Sequence, residues 1–204
     1  MSAEAKQEHL FSTADRLLSR SEKEALLQQR GLVVWMTGLS GSGKTSIAVG
    51  LERLLHAKGR YVMVLDGDNV RLGLNKGLGF SEDDRVENIR RTAEAAKLFA
   101  GNGTIVICCF VSPTHALRDL ARNIIGPADL LEVFVDTPLE LCEQRDVKGL
   151  YAKARSGEVK LFTGISAPFE APLSPDVHLR TAQRTPEQSA QELFELLLPR
   201  VQRN

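Results

Sequence analysis

Hydrophobic positions along the chain fall into short continuous runs separated by stretches with helical spacing. The first run, LVVWMT after Gly31, is made of β-formers. Glycines follow at once, then IAVGLERLLHAKG, a helical stretch that Gly59 closes in the C′ position. YVMVLD is read as a second buried strand, so strand, turn, helix and strand fit into about 35 residues, a βαβ unit. The alternation continues: RVENIRRTAEAAKLFAGNG predicts a helix closed by Gly101 and Gly103, and TIVICCFV a third strand. THALRDLARNII predicts a helix, LLEVFVD a fourth strand, and PLELCEQR a helix with Pro138 in its first turn. DVHLR is a weaker fifth strand, and PEQSAQELFELLLPRV, opened by Pro186, a terminal amphipathic helix. Continuously apolar strands belong to a sheet covered on both faces. Elements alternating in this way give a doubly wound α/β domain, its parallel sheet joined by right-handed crossovers.

Two stretches stand outside the alternation. Residues 1–30 are polar and helix-prone, with Leu17, Leu18, Leu26 and Leu27 spaced for a short amphipathic helix. They are expected to form an N-terminal helical extension to a domain at 31–204, packed on that domain or on a partner, or held loosely as a terminus. Residues 148 to about 175 are rich in Gly, Pro, Lys and Glu with no long apolar run. A segment of that length inside a domain is usually an active-site lid.

Composition narrows the function classes. The 204 residues are 43% hydrophobic and 25% charged, which fits one soluble globular domain and excludes disorder. Lys+Arg 26 balances Asp+Glu 26, so a broad nucleic-acid surface or an anionic-membrane binder is not expected. Cys108 and Cys109 sit inside an apolar run and read as buried thiols, and the four histidines and three cysteines show no zinc spacing. The start, MSAEAKQEHLF, lacks the layout of a signal peptide, and no apolar run approaches the roughly 20 residues of a membrane span. The expected location is the cytoplasm.

Chemistry enters after the first strand. Gly38, Leu39, Ser40, Gly41, Ser42, Gly43, Lys44 and Thr45 match G-x-x-x-x-G-K-[ST] between a strand and a helix. The glycines let successive backbone N–H groups converge on phosphate oxygens, and the helix N-terminus adds its positive end. Lys44 is placed to reach the β- and γ-phosphates and Thr45 to ligate Mg²⁺, so the chain is expected to bind a nucleoside triphosphate. The second strand runs into Asp66, Gly67, Asp68, Asn69, Val70 and Arg71. Ligands of such sheets bind beyond the C-terminal ends of the strands, so these carboxylates face the phosphate loop. One can hold Mg²⁺ and the other can orient or deprotonate an acceptor hydroxyl; the same pattern also suits a turn with Asp as a helix N-cap. No Asn-Lys-x-Asp guanine signature is present.

The segments WMTGLSGSGKT, LDGDNVR, LGFSEDDRVENIRR, FVSP, CEQRDVKGLYAKAR and FTGI follow one another in an order and spacing that resemble the adenylyl-sulfate kinases (APS kinases). The resemblance runs from about residue 31 to residue 180. It implies a P-loop nucleoside-kinase-like three-layer fold with a central parallel sheet of about five strands and a lid. The activity implied is ATP- and Mg²⁺-dependent phosphorylation of the 3′-hydroxyl of adenosine 5′-phosphosulfate (APS), giving the 3′-phosphorylated product PAPS and ADP. Carried over to this sequence, Asp68, Asn69 and Arg71 would contact APS, with Asp66 or Asp68 near the attacking hydroxyl. Arg85 and Asn88 would bind the phosphosulfate and ribose, where a planar guanidinium suits an anion better than a point charge. Phe80 and Phe162 would sandwich the acceptor adenine, Lys148 and the backbone around Leu161 would complete that site, and Arg155 on the lid would lie over the donor nucleotide. Ser112, after Val111, holds the position given in the family as a phosphoserine intermediate. In-line transfer to a bound hydroxyl needs no such relay, so Ser112 is expected to be an acceptor-site contact.

The chain departs from the family's commonest wording at Thr114 and His115, at Leu72 and at Ser166, positions that bear on lid closure and acceptor affinity. The resemblance also implies a homodimer and an association with ATP sulfurylase. Two other readings of the phosphate loop are a kinase for another small hydroxylated metabolite and a nucleotide-binding regulatory module without turnover.

Overall fold

The computed structural model describes residues 11 and 13–203. A 3-10 turn at Ala14–Arg16 precedes α1 (Arg20–Leu27), β1 (Leu32–Thr37), α2 (Lys44–Ala57), β2 (Val62–Asp66) and α3 (Gly67–Leu72). Then come α4 (Glu82–Gly101), β3 (Ile105–Cys109), α5 (His115–Ile125), β4 (Leu130–Asp136) and α6 (Leu139–Arg145). The chain ends with α7 (Leu150–Arg155), β5 (Val177–Arg180) and α8 (Pro186–Val201). The five strands pair in the order β2-β3-β1-β4-β5, and every pairing is parallel. All C-terminal strand ends therefore open on the same edge.

Side chains alternate across β1, and each half builds its own core. Val34 and Met36 join Ile47, Leu51 and Leu55 of α2 and Leu193 and Leu197 of α8 on one face. Val33 and Trp35 meet Ile89, Ala93 and Ala96 of α4 and Leu117 and Ala121 of α5 on the other. This is the three-layer α/β arrangement the alternation implied.

The structure corrects two expectations. YVMVLD was expected to be a buried strand, but four of the five residues of β2 are only half buried. The reason is sheet order: β2 is an edge strand with a single neighbour, β3. At the N-terminus, Leu17 and Leu18 precede the helix, and α1 buries no residue; Leu17, Leu18 and Leu26 are exposed. Polar contacts hold α1 instead. Arg20 pairs with Asp129 and donates to Gly31 O (2.7 Å), while Gly31 N donates to Glu24 (3.0 Å). Gln29 is fully enclosed, receives Tyr61 N (2.8 Å) and donates to Tyr61 O (2.9 Å) and Gly103 O (2.7 Å). The part of the expected extension at residues 1–10 and 12 lies outside the described residues. All three cysteines are free and buried, and burial pushes the Cys109 thiol up to about 12.

Candidate active site

The loop after β1 is wedged between β4 and α6. A Cβ at Gly38 would stand 2.5 Å from Val135 O, and at Gly41, where φ is +74°, 3.2 Å from Cys142 O. Only glycine fits such an approach. Three carbonyls of the loop are held from outside: Ser40 O by Tyr151 Oη (2.8 Å), Gly41 O by Arg145 (3.4 Å) and Ser42 O by Thr137 Oγ1 (2.9 Å). With these three carbonyls held outward, main-chain N–H groups of the loop other than those of Gly38 and Ser42, which donate to Val111 O (3.5 Å) and Leu39 O (3.2 Å), are left for an anion, as in a nest. Thr137 carries no motif signal, and Tyr151 lies within the segment CEQRDVKGLYAKAR without being singled out, so sequence reasoning missed both as supports of the loop.

Lys44 opens α2 with its side chain folded back into the loop. Its Nζ donates to Gly38 O (2.8 Å), Leu39 O (2.7 Å) and Ser42 Oγ (3.2 Å). Burial disfavours the charged amine and brings it down to about 8.

Asp66 links this loop to the next helix. Its Oδ2 accepts from Thr45 Oγ1 (2.8 Å) and its Oδ1 accepts from Asp68 N (3.0 Å), so Asp66 is at once the N-cap of α3 and the partner of the phosphate loop. Of the two readings of Asp66 in the sequence, the structure shows the helix N-cap, and it sets the same carboxylate against Thr45. A buried carboxylate beside a threonine hydroxyl is a hard-oxygen donor set of the kind Mg²⁺ takes together with phosphate oxygens and waters. These residues fit the ion.

Opposite the loop, α3 and the start of α4 place two arginines near each other. Arg71 donates to Leu78 O (3.2 Å) and Gly79 O (2.8 Å) and lies 4.5 Å over the Phe80 ring. Arg85 donates to Phe80 O (3.0 Å), Thr163 Oγ1 (3.1 Å) and Leu161 O (2.6 Å). These side-chain bonds all go to carbonyl or hydroxyl oxygens, and neither guanidinium pairs with a carboxylate among the described residues. Burial lowers the pKa of both, and the charge of Arg85 lowers that of Arg71 further. Asp84 and Asp68 lie close enough to act on the charge of Arg71 without pairing with it, and two partly desolvated cations with no directly bonded carboxylate are a place for an anion. Asn88, one turn further along α4, is buried and meets Asn75 (3.0 Å). Asp68 and Asn69 are exposed on α3, where Asp68 pairs with Lys148.

The family model of adenylylsulphate kinase matches residues 30–180. The chain belongs to the adenylyl-sulfate kinase family. The adenylyl-sulfate kinase of Bacteroides fragilis is 57% identical over 196 residues, 96% of this chain and 97% of the relative. That of Saccharomyces cerevisiae is 55% identical over 183 residues, 89% of this chain and 91% of the relative. Among solved structures, the Mycobacterium tuberculosis APS kinase CysC in complex with AMPPNP and APS matches with a TM-score of 0.80 at 51% identity, covering 83% of this chain and 98% of that one.

The remaining positions that the adenylyl-sulfate kinase motifs single out fall into three groups. Phe80 is exposed at the rim, and Phe162 is half buried, edge-on to Tyr151 with ring centroids 4.9 Å apart. Arg85 bonds the carbonyls of Phe80 and Leu161, so it ties together the two loops that carry these rings. Leu161 has a left-handed φ of +56°, and Ser166, one of the departures, accepts from Phe162 N (2.9 Å) and stabilises the same turn. Arg155 is drawn away to Glu143 of α6 (2.8 Å), and the structure does not bring it to the phosphate loop by any hydrogen bond. α7 is itself an addition to the sequence reading, since helix-breaking neighbours hid it inside the expected lid.

Ser112 is buried at φ +41°, a strained region for a residue with a side chain. Its Oγ accepts from Trp35 Nε1 (3.1 Å), and its carbonyl accepts from Arg118 (2.8 Å). Val111 O receives Thr37 Oγ1 at 2.7 Å. No imidazole or carboxylate bonds the Ser112 hydroxyl among the described residues, so nothing there would activate it as a nucleophile. Ser112→Ala is expected to keep turnover within about tenfold of wild type, the scale of one lost hydrogen bond. A loss of all turnover with a normal melting temperature would restore the covalent route.

Proposed function

We propose that this chain transfers the γ-phosphoryl group of ATP to the 3′-hydroxyl of APS, giving PAPS and ADP. The observation that carries the reading is the pair of arginines with no bonded carboxylate, Arg71 and Arg85, the first of them on the helix that Asp66 caps while it bonds Thr45 of the phosphate loop. That arrangement sets an anion-binding acceptor site beside a triphosphate site at one sheet edge.

In this reading the N–H groups of Gly38 to Thr45 cradle the donor phosphates, and Lys44 exchanges its loop carbonyls for phosphate oxygens. Thr45 and Asp66 would hold Mg²⁺, which when bound neutralises charge shared between the β- and γ-phosphates. Both Asp66 oxygens are already engaged, whereas Asp68 meets only the mobile-stemmed Lys148. Asp68 is therefore the carboxylate that orients the 3′-hydroxyl. Arg71, Arg85 and Asn88 bind the phosphosulfate and ribose, and Asn69, Val111, Ser112, Lys148 and Leu161 frame them. Phe80 and Phe162 hold the adenine by stacking. The lid at about 148–175 closes over both nucleotides, with Arg155 leaving Glu143 for the donor. Closure excludes water, the competing acceptor.

The enzyme is read as a cytoplasmic homodimer, following the family resemblance; among the described residues no helix is long and apolar enough to cross a membrane. APS must be supplied by adenylyl transfer from ATP to sulfate, which makes an ATP sulfurylase the natural associate.

The test is ADP release from Mg·ATP with and without APS, beside gluconate, shikimate and nucleoside controls. Turnover with APS alone and a product bearing a 3′-phosphate is the expected result. Turnover on another acceptor would replace the reading, and ATP binding without turnover would point to the regulatory one.

A pH dependence follows from Lys44. Its amine titrates near 8 in the free enzyme because burial opposes its charge. Phosphate binding needs the charged form, so the proton is lost, and affinity with it, as pH rises through that value. The ratio kcat/KM for ATP is expected to fall on the alkaline side of about 8. In Lys44→Arg, whose guanidinium stays charged, that limb should vanish. A wild-type profile flat through the same range would remove Lys44 as the titrating group.

A further inference from the structure

Asn75 lies in the loop between α3 and α4 and is fully enclosed. Its main chain alone pins the loop: its N–H donates to Val70 O (2.7 Å), and its carbonyl accepts from Leu78 N (3.2 Å). The side chain has a separate set of partners. Nδ2 donates to Asn88 Oδ1 (3.0 Å), to Thr92 Oγ1 (3.2 Å) and to Asn88 O (3.3 Å).

The hydrogen bonds in this cluster run in one consistent set of directions. A main-chain carbonyl only accepts, so Thr92 gives its single hydroxyl proton to Asn88 O at 2.8 Å. Thr92 Oγ1 is then an acceptor toward Asn75, which must face it with the NH2 group. The same NH2 group meets the Asn88 side chain, which must present its oxygen. The NH2 group of Asn88 is thereby left without a hydrogen-bond partner among the described residues. On the other side of Asn75, Oδ1 is buried and unpaired. Folded proteins ordinarily avoid that cost. Turning the Asn75 amide over by itself would set this oxygen against two acceptors of Asn88, its Oδ1 and its main-chain carbonyl.

We propose that Asn75 is a positioning residue for the acceptor site: by holding Asn88 Oδ1, it leaves the Asn88 NH2 group, and not the oxygen, free to donate to the acceptor nucleotide. This rests on the acceptor-site reading of Arg85 and Asn88 given above. The consequence is selectivity. N–H donors one turn along α4 from Arg85, which bonds no carboxylate, take oxygen lone pairs, those of a phosphosulfate or a ribose hydroxyl, whereas an Asn88 free to turn over would set its own oxygen against the anion.

The test is a kinetic cycle on the full chain with APS and ATP varied separately. Asn75→Leu keeps the volume and removes the donor. It is expected to raise KM for APS about tenfold, the scale of one charge-assisted hydrogen bond, with KM for ATP unchanged. In an Asn88→Ala background the same substitution should change KM for APS no further, because its route runs through Asn88. Thr92→Val, which frees the Asn75 amide to turn over, should raise KM for APS by a smaller factor that also vanishes in that background. This second variant decides the matter alone if Asn75→Leu does not fold. Effects that multiply with Asn88→Ala, or an equal rise in KM for ATP, would overturn the positioning role and leave the acceptor site standing. If Asn88→Ala itself leaves KM for APS at the wild-type value, the acceptor-site reading falls and the role of Asn75 with it.

Discussion

Lys44→Met is expected to lower the rate of phosphoryl transfer by about 10³-fold or more, the range seen when a cation that stabilises transferring phosphoryl charge is removed. Methionine keeps the unbranched stem in the loop and deletes only the charge. The fold should tolerate the change, since burial already disfavours the charged amine and depresses its pKa to about 8. Gly38 O, Leu39 O and Ser42 Oγ would lose a donor, and the Gly38 and Ser42 bonds are buried, so a modest fall in melting temperature is expected beside the loss of chemistry. Single-turnover rates with saturating Mg·ATP and APS, taken with a melting temperature, separate chemistry from stability. A folded variant that turns over at the wild-type rate would sink the donor-site assignment.

If Arg85 binds the phosphosulfate as proposed, Arg85→Ala is expected to raise KM for APS about 100-fold while KM for ATP moves little, the scale of a lost bidentate, charge-assisted contact. Part of the loss is indirect. Arg85 also bonds Phe80 O, Leu161 O and Thr163 Oγ1, so its removal uncouples the two loops that carry the adenine-stacking rings. Arg85→Lys separates the contributions: it keeps the charge but cannot span three oxygens in a plane, and should recover only part of the affinity. Equal increases in both Michaelis constants would refute an acceptor role.

The strands, the phosphate loop and the large helices were legible because each is specified by its own residues. LVVWMT, LLEVFVD and PEQSAQELFELLLPRV occupy the positions read for them, at Leu32–Thr37, Leu130–Asp136 and Pro186–Val201. The short α6 was legible too, through Pro138 at its start, whereas two other short helices were not. α3 spans Gly67–Leu72, too few residues to show a helical period, and its opening Asp-Gly-Asp reads as a turn. α7, at Leu150–Arg155, lies between Gly149 and Gly157 in a stretch without apolar periodicity. The half-exposure of β2 was equally invisible, since an apolar run carries no information about which strands flank it.

Among the site residues, the sequence by itself determined those whose chemistry lies in contiguous positions. The glycines run directly into Lys44 and Thr45 at the start of α2, and Asp66 is the last residue of a strand that must end at the same edge. Tertiary structure alone decided the rest. Asp66 divides its two oxygens between Thr45, 21 positions earlier, and Asp68 N. Arg85 reaches loop atoms 76 and 78 positions away, Tyr151 holds Ser40 O from 111 positions away, and Asn75 fixes the amide of Asn88 on another element. A hydrogen bond needs its partners within about 3 Å and aligned, and a sequence pattern constrains such geometry only between near neighbours on one element. Hydrophobic periodicity is set locally and survives in the sequence; the direction of a buried amide is set by the closed network around it and appears only when the chain has folded.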